Sequence, residues 1–291
     1  MQELRGKNVL ITGASRGIGV FIAKTFAAHG ADLALAARSA EQLEEVRGTC
    51  ERTGVRAAAF NCDVGNDDDL RALVAATERA YGRIDVLVNN AGIEYVERFQ
   101  HLSIDQIEEL IRVNLTSAMW LSKLVLPAML ERRAGAIVNV ASLAGKGPVP
   151  FNALYSASKH GMVGFSNSLA AELDGTGVIS SVVCPGFVDA GMWKTHESAG
   201  SALPPMMRAV DPQKVADAVV KAATKQGEYI VAGAPYRPLL ALGELAPALM
   251  KPVVRRLGVN KTFEQSADRE RVGRDRTASA DGAARETADR L

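Results

Sequence analysis

Residues 12–19 read TGASRGIG and stand between an apolar run, KNVLI at 7–11, and an amphipathic stretch at 17–29. Three glycines permit a tight turn and a close approach of a ligand to the backbone, while free N–H groups at a helix start face negative charge. A strand, a glycine-rich turn and a helix in this order are typical of a dinucleotide site. We therefore predict a phosphate loop, rather than a purely structural turn, formed by Gly13, Ser15, Arg16, Gly17, Ile18 and Gly19.

Up to about residue 232 the chain alternates short aliphatic runs with longer amphipathic ones. Strands are predicted at 7–11, 32–37, 55–62, 84–88, 135–141, 178–184 and 228–232. Helices are predicted between them, at about 17–29, 39–53, 66–81, 103–131, 152–174 and 211–226. Strands that are apolar on both faces and separated by helices indicate a parallel sheet covered on both sides. The fold class is therefore a doubly wound α/β domain.

The composition excludes several classes of protein. The 291 residues carry 34 Lys and Arg against 33 Asp and Glu, so no basic field exists to hold a nucleic acid. Lys123 and Glu244 interrupt the apolar segments around 117–130 and 238–250 before they reach the roughly 18 residues of a membrane span. The first residues lack a signal-peptide pattern, so we expect a cytoplasmic protein. Three cysteines and four histidines show no disulfide or ligand spacing, and no metal is predicted.

Further motifs follow the phosphate loop in a fixed order: NNAG at 89–92, then Ser142, Tyr155 and Lys159. Together with TGASRGIG, this set resembles the short-chain dehydrogenase/reductase family of the NAD(P)-binding type, over residues 5–232. The resemblance implies a Rossmann-like sheet of about seven strands in the order 3-2-1-4-5-6-7. It also implies a homodimer or homotetramer that associates through the long helices near 103–131 and 152–174.

Four residues are candidates for catalysis: Asn114, Ser142, Tyr155 and Lys159. Tyr155 and Lys159 are four apart in a helical stretch and share one face. Hydride transfer to a carbonyl leaves an alkoxide that must be protonated, and a nearby ammonium is expected to lower the pKa of the tyrosine for that task. The resemblance implies that Lys159 also bonds the nicotinamide ribose, that Ser142 bonds the substrate oxygen, and that Asn114 holds a water linked to Lys159.

The nicotinamide cofactor should be selected where the second strand ends. A carboxylate there would accept from a free ribose 2′-hydroxyl, but this chain has Ala37 followed by Arg38, with Arg16 in the phosphate loop. Two guanidinium groups favour a 2′-phosphate. We therefore predict NADP(H) rather than NAD(H).

The resemblance assigns further cofactor contacts. Asp63 and Val64 would hold the adenine, although Asp63 is also a candidate cap for the next helix. The adenosine ribose would be lined by Asn90 and its neighbours Ala91 and Gly92, whereas Asn89 is expected to be structural. The nicotinamide carboxamide would be contacted by Pro185, Gly186 and Val188. Many relatives carry Thr where this chain has Ala190, which puts one polar contact in doubt.

The sequence divides at two changes of composition. Residues 1–234 form the predicted catalytic domain, including a flap at 190–210 whose Met192 and Trp193 are candidate contacts to an apolar substrate. Residues 235–260 are apolar and contain three internal prolines, at 238, 247 and 252, after the first at 235. We expect them to pack on their own domain or on a neighbouring subunit; covering the active-site mouth or touching a membrane surface is the alternative. Residues 261–291 are polar and expected to be largely disordered.

The resemblance implies an NADP(H)-dependent carbonyl reductase or alcohol dehydrogenase that acts on a hydrophobic ketone or secondary alcohol. A reductase of 3-oxoacyl thioesters on an acyl carrier protein is the alternative. Relatives of that kind often carry Asn before the catalytic Tyr, where this chain has Leu154. A non-catalytic NADP-binding regulator is a minor alternative, because such a protein would be expected to have lost some of the four candidate residues, and none is lost.

Overall fold

The computed structural model describes residues 4–192, 194, 208–232, 263, 264 and 267. Within them, the strands form one seven-stranded parallel sheet in the order β3-β2-β1-β4-β5-β6-β7, which confirms the predicted topology. The strands are β1 (Asn8–Thr12), β2 (Asp32–Ala37), β3 (Ala57–Asn61), β4 (Val86–Asn89), β5 (Gly135–Val140), β6 (Val178–Pro185) and β7 (Glu228–Val231). The helices are α1 (Ile18–Ala28), α2 (Ala40–Glu51), α3 (Asp67–Tyr81), α4 (Ile104–Ile111), α5 (Ser117–Glu131), α6 (Ala153–Glu172) and α7 (Pro212–Thr224).

Helices cover both faces of the sheet, as the apolar strands require. All five positions of β1 are buried. On one face, Phe26 of α1, Leu43 of α2 and Val215 of α7 join the main core. On the other face, Leu70 of α3 and Leu121 of α5 belong to a second core. Because all the paired strands are parallel, the loops that follow them lie along a single edge of the sheet.

A π turn, Arg112–Thr116, joins α4 and α5 into one continuous helical segment, Ile104–Glu131. By length and composition this segment could cross a membrane, with 44% of its apolar window buried. The sequence-based expectation considered only uninterrupted apolar runs. The segment passes a test of helix length and mean hydropathy that tolerates a charged residue such as Lys123. Because α5 packs on α3 and the π turn packs on α6, a core helix accounts for its apolar character.

All three cysteines are buried and free. Burial raises the pKa of the thiols of Cys50, to about 11, and of Cys62 and Cys184, to about 12. Buried thiols of this kind are inert, so these residues fill space in the core.

Part of the C-terminal extension returns to the domain. Phe263 and Ala267, both in helical conformation, are buried with Val96, and Val149, Phe151 and Phe187 pack against them. We call this group the Phe263 cluster. Three residues of the stretch expected to be largely disordered, 263, 264 and 267, thus lie among the described residues, and the apolar side chains of Phe263 and Ala267 find a partner surface that the local composition does not reveal. The domain boundaries at 234 and 260 lie outside the described residues.

Candidate active site

The candidate residues meet at the carboxyl edge of the sheet. Parallel register pairs Thr12 of β1 with Ala36 of β2, and Asn89 of β4 with Asn139 of β5. The loops that follow these strands therefore emerge side by side, which is where doubly wound sheets bind their ligands.

The phosphate loop is held by close backbone approach. Gly13 has φ +65°, and a Cβ on it would lie 2.8 Å from the Cα of Ala91. A Cβ on Gly19 would lie 2.1 Å from the carbonyl oxygen of Gly13. Both positions therefore require glycine.

Asn90 fastens this loop to β4. Its Nδ2 donates to the carbonyl oxygens of Thr12, at 3.0 Å, and of Gly13, at 3.1 Å. The backbone N–H groups of Asn90 and Ala91 both donate to the Thr12 hydroxyl at 3.1 Å. Both side-chain protons of Asn90 are thus engaged with the protein, so any contact of this residue with a ribose falls to its Oδ1 or backbone.

The start of α1 is arranged for an anion. Its N-cap, Gly17, has φ +58° and provides no side-chain cap, so the first N–H groups of an eleven-residue helix are left for another acceptor. Ser15 is half-buried and Arg16 exposed, while Ile18 packs on the main core. The geometry fits a dinucleotide pyrophosphate.

Arg16 and Arg38 both lie exposed at this edge, one beyond each of the paired strands β1 and β2. The carbonyl oxygen of Arg38 accepts from Asn61 Nδ2 at 2.8 Å, which fixes its backbone while the guanidinium stays in solvent. Ala37, at the end of β2, is buried and brings no carboxylate. The electrostatics suit a phosphate rather than a bare hydroxyl.

Asp63 does not cap α3. The cap is Asn66, whose side chain accepts from the N–H groups of Asp68 and Asp69. Asp63 instead accepts from Gly65 N–H at 2.9 Å, and its neighbour Val64 is buried in the second core. This turn leaves the adenine-binding prediction for Asp63 and Val64 geometrically open.

The segment after β6 is held from both sides. Gly186 N–H donates to the Val231 carbonyl at 2.9 Å, and Val188 forms a parallel bridge with Val210. Ala190 N–H donates to Val188 O at 2.7 Å, so the backbone here turns tightly without the usual threonine. These bonds fix Pro185, Gly186 and Val188 between the end of β7 and Val210.

Ser142 and Tyr155 meet through their hydroxyls. Ser142 lies two residues after the end of β5. Besides its bond to Tyr155, the Ser142 Oγ accepts from the Ala144 N–H at 3.1 Å. Burial raises the pKa of Tyr155 above its ordinary value, Glu94 raises it further, and the hydrogen bond from Ser142 opposes them. The structure thus contradicts the expected lowering of the Tyr155 pKa, because burial is the largest cause.

Lys159 is almost fully buried one helical turn beyond Tyr155. Its Nζ lies 5.5 Å from the Tyr155 ring centroid and donates to the Val140 carbonyl at 3.0 Å. Burial lowers the pKa of this ammonium to about 8, against smaller opposing effects of Cys184 and Glu94. Lys159 therefore keeps its charge near neutral pH.

The π turn at Arg112–Thr116 presents Asn114 to the same place. Its Oδ1 accepts from Ile93 N–H at 2.8 Å, and its Nδ2 donates to Ile93 O at 2.9 Å and to Ser158 Oγ at 3.2 Å. Both amide protons are engaged, so the predicted water link to Lys159 would have to use an oxygen of Asn114. A π turn is a recurrent device for placing a functional side chain.

Two polar residues near the site were not predicted as site residues from the sequence. Asn152 precedes α6, is almost fully buried, and donates a hydrogen bond from Nδ2 to Glu94 Oε1. Glu94 stands two residues after Gly92, and it raises the pKa of both Tyr155 and Lys159. The only sequence signal was their proximity to NNAG and to Tyr155.

Of the two flap residues proposed to contact substrate, Met192 lies at the site. A Cβ built on Gly92 would be 3.3 Å from Asn114 Oδ1, 3.7 Å from Lys159 Nζ and 3.8 Å from Met192 Cε. Gly92 thus lines a narrow space between these three side chains. Trp193 lies outside the described residues.

Curated relatives have reductase names. The ketoacyl reductase HetN of Nostoc sp. is 42% identical over 279 residues, which cover 94% of this chain and 96% of that protein. The 3-oxoacyl-[acyl-carrier-protein] reductase FabG of Vibrio cholerae is 35% identical, over 78% of this chain and 94% of that protein.

Solved structures agree in fold. A variant of the actinorhodin polyketide ketoreductase with NADPH matches with a TM-score of 0.72 and 36% identity, over 78% of this chain and 96% of that one. A metagenomic short-chain oxidoreductase in complex with NADP matches with a TM-score of 0.68 and 35% identity, over 78% of this chain and 97% of that one. The sequence model described as short chain dehydrogenase matches residues 7–200. The chain belongs to the short-chain dehydrogenase/reductase family.

Proposed function

We propose that this protein reduces a ketone to a secondary alcohol with NADPH. The observation that carries the proposal is the convergence of Ser142, Tyr155 and Lys159 at the carboxyl edge of the sheet, with the Ser142 and Tyr155 hydroxyls hydrogen-bonded and Lys159 Nζ 5.5 Å from the ring.

The residues divide the work. Ser142 holds the substrate carbonyl oxygen by donating a hydrogen bond, and Tyr155 protonates that oxygen as negative charge develops. A raised pKa keeps the phenol protonated at neutral pH, which is the form that reduction requires. The Lys159 ammonium stabilises the phenolate that remains. NADPH, when bound, supplies the hydride.

The cofactor would be held by the phosphate loop and the start of α1. Arg16 and Arg38 would meet the 2′-phosphate, with Asp63 and Val64 beside the adenine and Pro185, Gly186 and Val188 beside the carboxamide. Support comes from the uncapped N-terminus of α1 and from the two solved relatives, one with NADPH and one with NADP.

The cofactor preference has a direct test. Arg38→Asp places a carboxylate where the 2′-phosphate would lie, and should lower kcat/KM for NADPH by about 100-fold while NADH improves. A wild-type enzyme that prefers NADH would contradict this part of the proposal.

A 3-oxoacyl thioester is the substrate class that we favour, because the relatives from Nostoc and Vibrio cholerae carry ketoacyl and 3-oxoacyl reductase names. A free hydrophobic ketone is the second candidate, supported by the thioether of Met192 beside Gly92. NADPH oxidation measured with acetoacetyl and longer 3-oxoacyl thioesters, against 2-ketones of equal length, separates the two.

The proposed reaction is tested by Tyr155→Phe. This variant should fold and bind NADPH like the wild type, yet lose at least about 1,000-fold in kcat because no group remains to protonate the alkoxide. Near-normal turnover would refute the assignment of Tyr155.

Association and location are also proposals. We infer a homodimer or homotetramer through the helical segment 104–131 and α6, supported by the exposed apolar side chains Ile104, Met119 and Leu130. Light scattering of the purified protein checks the stoichiometry. A cytoplasmic location is supported by the free, buried cysteines and is checked by cell fractionation.

A further inference from the structure

The Phe263 cluster connects the C-terminal extension to the candidate active site. Phe263 is 7% exposed, and its ring centroid lies 6.0 Å from that of Phe187, within the segment that follows β6. Val96, fully buried against it, belongs to the loop after β4. One side chain from the C-terminal extension therefore contacts two loops that flank the site.

A second contact reaches the loop before α6. Glu264 pairs with Arg98 at 3.1 Å, and the Arg98 guanidinium lies 5.1 Å from the Phe151 ring centroid. Phe151 has φ +60°, a region that side chains bearing a Cβ rarely adopt, so surrounding contacts must hold it there. Its carbonyl accepts from Glu97 N–H at 2.8 Å, which ties the two loops together.

The held residue stands next to Asn152, which bonds Glu94 and begins the turn of α6 that carries Tyr155. Contacts thus run without a break from Phe263 and Glu264, through Val96, Arg98 and Phe151, to the Glu94–Asn152 pair. The far end of this chain of contacts acts on the charge environment of Tyr155.

We propose that the C-terminal residues Phe263 and Glu264 are positioning residues for the reductase: they hold the loops 93–98 and 149–152 in the conformation that presents Tyr155 to the carbonyl. This inference rests on the proposed function. It concerns chiefly the loops on the substrate side, because within the described residues the phosphate loop is fastened by Asn90 and Thr12, and the contact of Phe263 with the carboxamide segment is made at Phe187.

The comparisons fit a feature that is added to the common domain. The match to the Vibrio cholerae reductase covers 94% of that protein but 78% of this chain, whereas the match to the Nostoc reductase covers 94% of this chain. The extension is therefore a property of some relatives and not a requirement of the fold.

The test compares Phe263→Ala with Phe263→Leu and with a control, Phe99→Ala, whose side chain is 61% exposed in the neighbouring loop. For Phe263→Ala we expect kcat/KM for the ketone to fall about tenfold, with the Kd for NADPH within about twofold of wild type. Phe263→Leu should recover most of the loss, and Phe99→Ala should match the wild type.

Hydrogen exchange supplies a readout that does not need turnover. Amides in 93–98 and 149–155 should exchange faster in Phe263→Ala, while those in 12–19 do not change. If Phe263→Ala does not fold, Glu264→Gln, at a half-exposed position, should give the same pattern to a smaller extent. If the wild type reduces no ketone, the proposed function fails and the exchange pattern alone decides the positioning role.

Two results would overturn the inference. The first is a Phe263→Ala variant whose hydrogen exchange and kinetics both match those of the Phe99→Ala control. If Phe263→Ala does not fold, the corresponding result is hydrogen exchange in Glu264→Gln that matches the control. The other is a parallel loss of NADPH affinity and faster exchange in 12–19, which would mean that the extension stabilises the whole domain.

Discussion

The two sides of the site are built differently. On the cofactor side, the phosphate loop is fixed by backbone atoms that approach so closely that only glycine fits, as at Gly13 and Gly19. On the substrate side, the loops 93–98 and 149–152 are held by side chains that meet across long stretches of sequence, such as Arg98 with Glu264. A substitution in the phosphate loop should therefore act through a steric clash. A substitution among the contacts of loops 93–98 and 149–152 should act through the loss of their conformation.

The largest effect on the cofactor side is expected from the substitution Gly19→Ala. The added Cβ would meet the Gly13 carbonyl at 2.1 Å, so we expect at least about a 100-fold loss of NADPH affinity and a loss of about 3 kcal/mol in the free energy of unfolding. NADPH fluorescence titration and urea unfolding measure both.

Gly48→Ala is the matched control, because nothing lies within 4 Å of its Cβ position in α2. This variant should gain up to about 1 kcal/mol of stability and bind NADPH normally. Equal behaviour of the two alanine variants would show that close approach does not fix the loop.

Lys159→Met should separate activity from stability. The wild-type ammonium has a pKa lowered by burial, from 10.5 to about 8, so its charged form opposes folding below that pH. Methionine removes the cost, and we expect kcat to fall about 100-fold or more while the free energy of unfolding at pH 7 rises by about 1–3 kcal/mol. A less stable variant would contradict the buried-charge argument.

The same group sets an expected alkaline limit. As pH rises through about 8, Lys159 loses its proton, so wild-type kcat/KM for reduction should decline above that pH. Glu94→Gln keeps the acceptor for Asn152 but removes a charge that raises the Lys159 pKa, and should move this decline to lower pH. Profiles of kcat/KM against pH for both proteins make the test; superimposable profiles would remove Glu94 from the electrostatics of the site.

The smallest effect is expected from Asn66→Ala. Loss of the α3 cap should lower the free energy of unfolding by about 1 kcal/mol and leave KM for NADPH within about twofold. Asp63→Ala should instead raise KM for NADPH several-fold if Asp63 holds the adenine. Thermal unfolding and steady-state kinetics of the pair assign the two neighbouring side chains to separate tasks.

The sequence predicted the cofactor side better because local chemistry determines it. A glycine spacing, an uncapped helix start and alternating apolar runs are each visible within a few residues. The contacts of Phe263 were not predicted because a lone aromatic in a polar tail gives no sign of its partners, Val96 and Phe187, which lie far away along the chain. The raised Tyr155 pKa was missed for a similar reason, since burial and the charge of Glu94 arise only on folding.

The π turn at Arg112–Thr116 has a consequence for how this helix can change by mutation. Such a turn holds one residue more than a regular helix needs, so in evolutionary terms it behaves as a retained insertion. Deleting one residue within it should restore an unbroken α-helix and keep Leu121, Val125 and Met129 of α5 in the second core, because the wider turn already absorbs the extra residue. Deleting one residue within α5 itself would instead rotate everything beyond by about 100°. The tolerance of this helix for a single-residue deletion should therefore be highest where its backbone is least regular, at the expense of the placement of Asn114.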